Sequence, residues 1–172
     1  AFAREHGLTG RFVVGYAGTL GMSQGMMTVV EAAALLRGRD DVLFFIVGDG
    51  IEKPHLEARV QELGLRNVRF LGMQPREVYP WVVASCDVGL VLLNARVRTP
   101  VVPSKILSYM AGGRPIIASV PLDGDVPQFI EEAECGVCVP PENPQALAQA
   151  VVKLAEDAEA CQRYAVCGHK FV

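Results

Sequence analysis

Short apolar runs alternate with helical segments along nearly the whole chain, and this alternation limits the possible folds more than any other feature. The predicted strands cover residues 12–17, 42–47, 67–72, 87–93, 116–119 and 136–139. Continuous apolar strands separated by helices are typical of a parallel sheet that is covered on both faces. We therefore expect an α/β fold, a doubly wound parallel sheet of Rossmann-like type with three α/β/α layers.

Length and charge exclude several classes of protein. The 172 residues predict one domain, spanning 1–172, and a net charge of −3 argues against nonspecific binding to nucleic acid. No apolar segment approaches the roughly 18 residues of a membrane-spanning helix, and the first residues lack the apolar core of a signal peptide. The start without Met suggests a piece of a longer protein. The odd number of cysteines, five, suits a reducing cytosol better than a disulfide framework.

The segment from Pro103 to Pro115 predicts a helix with marked ends, followed by a buried strand. Proline suits the first helical position and glycine suits the end, here Gly112-Gly113. Free backbone N–H groups at the helix start, together with Ser104 and Lys105, favour an anion site. A solvated lysine in a first helical turn is the alternative. In either case we expect Lys105→Ala to change folding little, because a surface lysine normally matters little to stability.

Ligands of open α/β sheets bind beyond the carboxyl ends of the strands, so the loops there are the candidate binding segments. Residues 18–25 form a glycine-rich loop between a predicted strand and a helix, and Gly48-Asp49-Gly50 follows the second strand. Glycines let backbone N–H groups approach a ligand, although any tight turn also favours them. Neither GxGxxG nor a P-loop occurs, which argues against a dinucleotide oxidoreductase and a P-loop NTPase.

These segments together resemble the family-4 (group 1) retaining glycosyltransferases. Pro103-Ser104-Lys105 through Ala118 is similar to the family's P-S-K…E-Y-M-A-x-G-x-P-(V/I)-(V/I)-A signature, and Val47–Gly50 to its Val-Gly-Asp-Gly. Phe70-Leu71-Gly72 and the stretch from Gly136 to Ala148 follow in the family's order and spacing. The resemblance covers residues 11–154.

The resemblance implies the C-terminal, donor-binding domain of a two-domain GT-B enzyme. Such an enzyme moves a sugar from a nucleotide diphosphate-sugar to a polysaccharide, lipid-linked or small acceptor, with retention and without a metal. The acceptor-binding N-terminal domain would be absent, leaving the isolated domain inactive and any membrane contact to the missing half. A cytoplasmic location, peripheral at the inner membrane face, and a role in cell-envelope polysaccharide synthesis follow as expectations.

The same resemblance implies where the donor binds, while the catalytic residues stay unknown. The loops would approach the phosphates, Met73 and Gln74 would frame the base, and Ser108 would meet the ribose. Backbone N–H groups of Ser104, Lys105 and Ile106 would bind the diphosphate. The implied donor-binding residues are Gly18, Thr19, Gly21, Gly48, Asp49, Gly50, Met73, Gln74, Pro103, Ser104, Lys105, Ile106 and Ser108.

Four positions depart from the family pattern. Thr19 and Gln24 stand where many members carry an Arg and a Lys that clamp the diphosphate. Pro100 and Ser108 replace a pair of glutamates that face the sugar and the ribose. Two other functions therefore stay open: a GT-B-type UDP-sugar 2-epimerase, and a degenerate interaction domain that binds no donor.

A metal site is not expected. Cys135 and Cys138 have the spacing of half a zinc site, but no second pair accompanies them, so core packing is the better interpretation. The nearest approach to an Asp-x-Asp pair is Asp123-Gly124-Asp125, which lies in a loop ahead of a predicted helix.

Overall fold

The computed structural model describes residues 1–97 and 102–172 and contains a six-stranded parallel sheet. The strand order is β3-β2-β1-β4-β5-β6, which confirms the doubly wound topology. The strands are β1 (Phe12–Ala17), β2 (Val42–Val47), β3 (Val68–Leu71), β4 (Val88–Leu92), β5 (Ile116–Ser119) and β6 (Gly136–Val139).

Helices cover both faces of this sheet. They are α1 (Phe2–Glu5), α2 (Met27–Leu35), α3 (Lys53–Glu62), α4 (Tyr79–Ala84), α5 (Ser104–Ala111), α6 (Asp125–Glu132), α7 (Pro144–Ala155) and α8 (Ala158–Phe171). The core on one face is packed under α2, α3 and α7, and the cores on the other face lie under α1, α4, α5 and α6. The three-layer α/β/α prediction is therefore correct.

One helix differs from the sequence-based expectation. The residues Pro75-Arg76-Glu77-Val78 predict a helix start whose first turn Pro80 ends or kinks, whereas α4 begins at Tyr79 and accommodates Pro80 in its first turn, where no N–H is needed. The helix that Asn143-Pro144 predicts does begin there, as α7, and ends at Ala155. A further helix, α8, then begins with the Asp157 side chain accepting a hydrogen bond from the Ala160 N–H at 2.8 Å.

The sheet splits between β1 and β4, and Tyr109 of α5 fills the split. The two strands pair only at Val14–Val88 and Gly15–Gly89. The Tyr109 hydroxyl donates a hydrogen bond to the Gly15 carbonyl at 3.1 Å. It also accepts one from the Ala17 N–H, further along β1, at 3.2 Å. The buried hydroxyl thus replaces missing strand-to-strand hydrogen bonds and fixes α5 against β1.

Room for this ring comes from the absence of a side chain at Gly89. A Cβ atom there would lie 2.4 Å from the Tyr109 ring, closer than any real contact. Because α5 depends on this packing, the position of its first turn over the carboxyl edge of the sheet follows from a glycine in the middle of β4.

Candidate functional site

A cleft of about 380 Å³ opens at the carboxyl edge of the sheet, beside the split between β1 and β4. In open α/β sheets this point, where the strand order reverses, is the usual place for a ligand. The residues that line it come from the end of β1, the loop after it, α4 and α5: Ala17, Gly18, Thr19, Gln24, Tyr79, Ser104, Lys105 and Ser108. Five of the donor-binding residues expected from the sequence are therefore brought together.

Lys105 is the one lysine that lines this cleft, and most of its side chain is withdrawn from solvent. Its Nζ donates to the Tyr16 hydroxyl at 3.0 Å and lies 4.2 Å from the centre of the Tyr16 ring. Burial lowers the pKa of Lys105 to about 8. No carboxylate of the described residues forms an ion pair with it. The description of Lys105 as an ordinary surface lysine is therefore wrong.

Tyr16 connects this lysine to the loop after β1. Its hydroxyl donates to the Thr19 carbonyl at 2.7 Å while it accepts from Lys105. Burial raises the pKa of Tyr16, so the phenol keeps its proton. Gly18 completes the contact, because a Cβ at that position would lie 2.9 Å from the lysine Nζ. The ammonium group and the loop backbone thus share one hydrogen-bonded support.

Several backbone N–H groups that the sequence led us to expect free are already paired. Gly18 N–H donates to the carbonyl that ends β2 at 2.9 Å, and Gly21 N–H donates to Gln24 Oε1 at 3.1 Å. Ile106 N–H donates to the Pro103 carbonyl at 3.0 Å, and the Ile106 side chain is fully buried. The expectation of a free N–H at Ile106 is wrong, because the first turn of α5 closes on itself.

Three N–H groups around the cleft remain without a partner in the described part of the chain. They belong to Thr19, Ser104 and Lys105. Ser104 and Lys105 are the first residues of α5, where the helix dipole adds partial positive charge. Together with the ammonium group, they give the cleft an excess of hydrogen-bond donors over acceptors, as an anion requires.

Gly48 and Gly50 lie beside the cleft and do not line it. A Cβ at Gly48 would overlap the Gly18 carbonyl oxygen at 1.8 Å, and one at Gly50 would lie 2.3 Å from the Leu20 carbonyl oxygen. Both glycines have φ values, +149° and +159°, in the region that favours glycine. Their function in the fold is to let the loops after β1 and β2 pack backbone against backbone.

Asp49 joins the loops after β2 and β3. Its carboxylate accepts from Lys53 Nζ at 2.7 Å and from the Met73 N–H at 2.6 Å, and the Lys53 hydrogen bond lowers the pKa of Asp49. Met73 itself is 58% exposed, and Gln74 donates to the Gly72 carbonyl at 3.0 Å. The expected base-framing residues therefore lie on the same edge of the sheet, outside the cleft of Lys105.

Ser108 and Tyr79 form the far wall of the cleft. Both residues line it, and burial raises the pKa of Tyr79. Ser108 Oγ donates to the Ser104 carbonyl at 3.5 Å. Pro100, which with Ser108 replaces the family's pair of glutamates, lies outside the described residues.

Three tyrosines that organise the site are not among the residues predicted from the sequence. Tyr16 lies in a predicted strand and Tyr109 in the motif that begins at Pro103, and no sequence pattern singled out Tyr79. The glycine at position 89 was the available signal for Tyr109, since a glycine inside a buried strand indicates that something packs closely against it. No sequence signal connects Tyr16 to Lys105.

Other candidate features carry less chemistry. Among residues 1–97 and 102–172, no three His, Cys, Asp or Glu side chains are grouped as metal ligands would be. All five cysteines are free, and burial raises the pKa of Cys135 to about 11. No helix in the described ranges has the length and apolar character needed to cross a bilayer.

Known proteins give a consistent assignment. The model of the family described as Glycosyl transferases group 1 matches residues 11–157. A protein of Escherichia coli K12 named as a colanic acid biosynthesis glycosyl transferase, WcaI, is 33% identical over 136 residues, which are 78% of this chain and 33% of that protein. The alpha-D-kanosaminyltransferase of Streptomyces kanamyceticus is 35% identical over 164 residues, 94% of this chain and 41% of that protein.

A solved structure extends the comparison to the fold. Anabaena HepE, crystallised in complex with UDP, superposes with a TM-score of 0.84 at 24% identity, over 99% of this chain and 46% of that chain. The chain described here thus spans less than half the length of each of these three proteins.

Proposed function

The chain belongs to the group 1 glycosyltransferases as a C-terminal domain of GT-B type, and from that premise we propose that it is the donor-binding half of such an enzyme. The observation that carries the proposal is the cleft beside the β1–β4 split, where a buried lysine has no anionic partner among the described residues. A diphosphate would supply that partner.

The chemistry of this half would be electrostatic. When a nucleotide diphosphate-sugar loses its sugar, negative charge accumulates on the departing diphosphate. Lys105 and the N–H groups of Thr19, Ser104 and Lys105 would stabilise such charge, and we propose that no metal ion is needed. We propose that the sugar reaches its acceptor with retention, and that the acceptor side comes from an N-terminal domain outside this sequence.

One relative supports a class of acceptor. WcaI is named for colanic acid biosynthesis, which supports a role in cell-envelope polysaccharide synthesis. The name of the kanosaminyltransferase gives the transferred sugar and not the acceptor. HepE was crystallised with UDP, which makes UDP the first nucleotide to test.

A binding experiment tests the proposal. The 172-residue chain is titrated calorimetrically with UDP, GDP, ADP and uridine, and the same titrations are made on Lys105→Ala and on Lys153→Ala. Lys153 is an exposed lysine of α7 and serves as the matched control. We expect saturable binding of at least one diphosphate, weakened about 10- to 100-fold by Lys105→Ala only.

Two outcomes would contradict it. Absence of saturable binding to every nucleotide would support the degenerate interaction domain. Equal weakening of nucleoside and diphosphate binding by Lys105→Ala would mean that the lysine maintains the shape of the cleft. For the parent enzyme, the anomeric configuration of the product, read by NMR, tests retention.

A further inference from the structure

A second polar cleft lies at the opposite edge of the sheet. It has a volume of about 530 Å³, and we call it the arginine cleft. Its lining residues are Arg11, Arg37, Asp40, Gly64, Arg66, Asn67 and Arg69. These residues lie before or at the start of β1, β2 and β3, so the cleft is at the amino edge, away from Lys105.

The four arginines come from three segments of the sequence, none of which is a basic run. Arg11 precedes β1, Arg37 follows α2, Arg66 lies in the turn before β3, and Arg69 is within β3. Their convergence is a result of the parallel topology. Four arginines and one carboxylate, that of Asp40, line the cleft in a protein whose net charge is −3.

Neighbouring acidic side chains do not neutralise this charge. Asp41 is held by Arg39 through hydrogen bonds of 2.8 and 2.9 Å, and Glu62 is held by Arg59 at 2.9 Å. Within the described ranges, neither Arg11 nor Arg66 forms an ion pair or a hydrogen bond. In the cleft their charges are therefore offset only by the Asp40 carboxylate, which forms no ion pair within the described residues.

The other two arginines are oriented by backbone carbonyls. Arg37 Nε donates to the Ala34 carbonyl at 3.1 Å, and Arg69 Nη1 donates to the His6 carbonyl. Each of these side chains retains further N–H donors. Neither bond removes the positive charge.

The floor of the cleft is rigid. Asn67 is buried; its Nδ2 donates to the Ala33 carbonyl at 2.9 Å, and its own carbonyl accepts from the Phe44 N–H at 2.8 Å. Arg37 and Arg69, which are held by backbone carbonyls beside this floor, lose less conformational freedom when they bind a ligand than lysines on a free surface would lose.

We propose that the arginine cleft binds a phosphate group, carried by a small phosphoester or by the headgroup of a phospholipid. A phosphate carries up to two charges, and its oxygens accept hydrogen bonds from several directions, whereas one carboxylate is satisfied by a single guanidinium fork. Several guanidinium groups that converge from different chain segments therefore fit phosphate better than carboxylate. This inference is independent of the donor cleft and of the proposed transferase activity.

The test begins from the Lys105→Ala variant, so that phosphate binding at the other edge of the sheet is suppressed. Inorganic phosphate is added while the backbone amide resonances of Gly64 and Asn67 are followed by NMR. We expect saturable shifts there, with an affinity that falls about tenfold in Arg66→Ala and less in Arg66→Lys. Arg163→Ala, which removes an exposed arginine of α8, is the charge-matched control and should leave the shifts unchanged.

A second arm identifies the source of the phosphate. Sedimentation is measured with vesicles of phosphatidylcholine alone and with vesicles that contain phosphatidylglycerol. Binding to the anionic vesicles that is lost in Arg11→Ala/Arg66→Ala and kept in Arg163→Ala assigns a lipid headgroup. Binding of inorganic phosphate without vesicle binding assigns a soluble phosphoester. Absence of both, or equal losses in the Arg66 and Arg163 variants, overturns the proposal.

Discussion

Replacing Lys105 by Met should make the domain more stable and its donor site weaker. Methionine has a similar length and no charge, so it keeps the packing against Tyr16 and removes the buried ammonium group. The lysine is destabilising in the folded domain because burial lowers its pKa from 10.5 to about 8. That difference corresponds to about 3 kcal/mol of unfavourable burial of the charged form.

Not all of this energy would be recovered. The variant also loses the hydrogen bond from Nζ to the Tyr16 hydroxyl, which is worth about 1 kcal/mol. We therefore expect the free energy of unfolding to rise by about 1–2 kcal/mol at pH 7. UDP affinity should fall about 10- to 100-fold, since a charge-assisted hydrogen bond to the diphosphate is lost.

The effect on stability should depend on pH in a defined direction. Below pH 8 the lysine is protonated in both the folded and the unfolded chain, and the full cost of its burial is present. Between pH 8 and 10.5 the folded chain releases the proton first, so the wild-type domain gains stability as the pH rises. The advantage of Lys105→Met should therefore be largest near neutral pH and vanish toward pH 10.5.

Urea unfolding at pH 7 and pH 10, followed by circular dichroism, measures this difference, and Lys153→Met is the control. In the wild-type chain, UDP affinity should also decline as the pH rises above about 8, because Lys105 of the ligand-free domain loses its proton there. A Lys105→Met variant that is less stable than wild type at pH 7, or a gain that does not depend on pH, would refute the reasoning from burial.

Three further predictions concern the support of the site and its chemistry. In calorimetric titrations, Tyr16→Phe should weaken UDP binding about tenfold and leave uridine binding unchanged, because Lys105 loses the hydrogen-bond acceptor that positions it. Equal losses of affinity for both ligands would contradict this. Gly89→Ala should lower the free energy of unfolding in urea by about 1–3 kcal/mol, since its methyl group would overlap the Tyr109 ring, whereas Gly38→Ala, in open space, should change it little. The parent enzyme should keep its activity in EDTA; loss of activity with EDTA and recovery with Mn²⁺ would show that the diphosphate needs a metal.

The sequence was sufficient for the fold because its strands are continuous apolar runs. The β2 segment is buried throughout, so its assignment did not depend on long-range contacts. The start of α7 was equally local, since Asn143 caps it with a 2.9 Å hydrogen bond to the Ala146 N–H. The separate helix α8 was not predicted, because only the Asp157 cap marks its start.

The site was only partly predictable, for a different physical reason. Motifs identified which loops meet at the carboxyl edge, because a parallel sheet brings all of its strand ends there. They did not reveal that Gly48 and Gly50 serve backbone packing, or that the Ile106 N–H is already paired. These contacts depend on distances between segments that are remote in sequence. The sequence alone does not indicate which of many possible segments a glycine will pack against or which group a backbone N–H will bond.

The burial of Lys105 explains the composition of the site. A cation without an anionic partner is costly in the folded domain, so its retention calls for a compensating interaction in the bound state. The fold holds the ammonium group between the Tyr16 ring and a glycine, where water can hydrate it only partly. Thr19 and Gln24 stand where many family members carry Arg and Lys, and among the described residues Lys105 is the one basic residue that lines the cleft. Introducing a second cation by Gln24→Lys should therefore increase UDP affinity about tenfold in the Lys105→Met variant. The increase should be smaller in the wild-type chain, because there two cations share one diphosphate. An equal increase in both backgrounds, measured by calorimetry, would show that the two positions act independently.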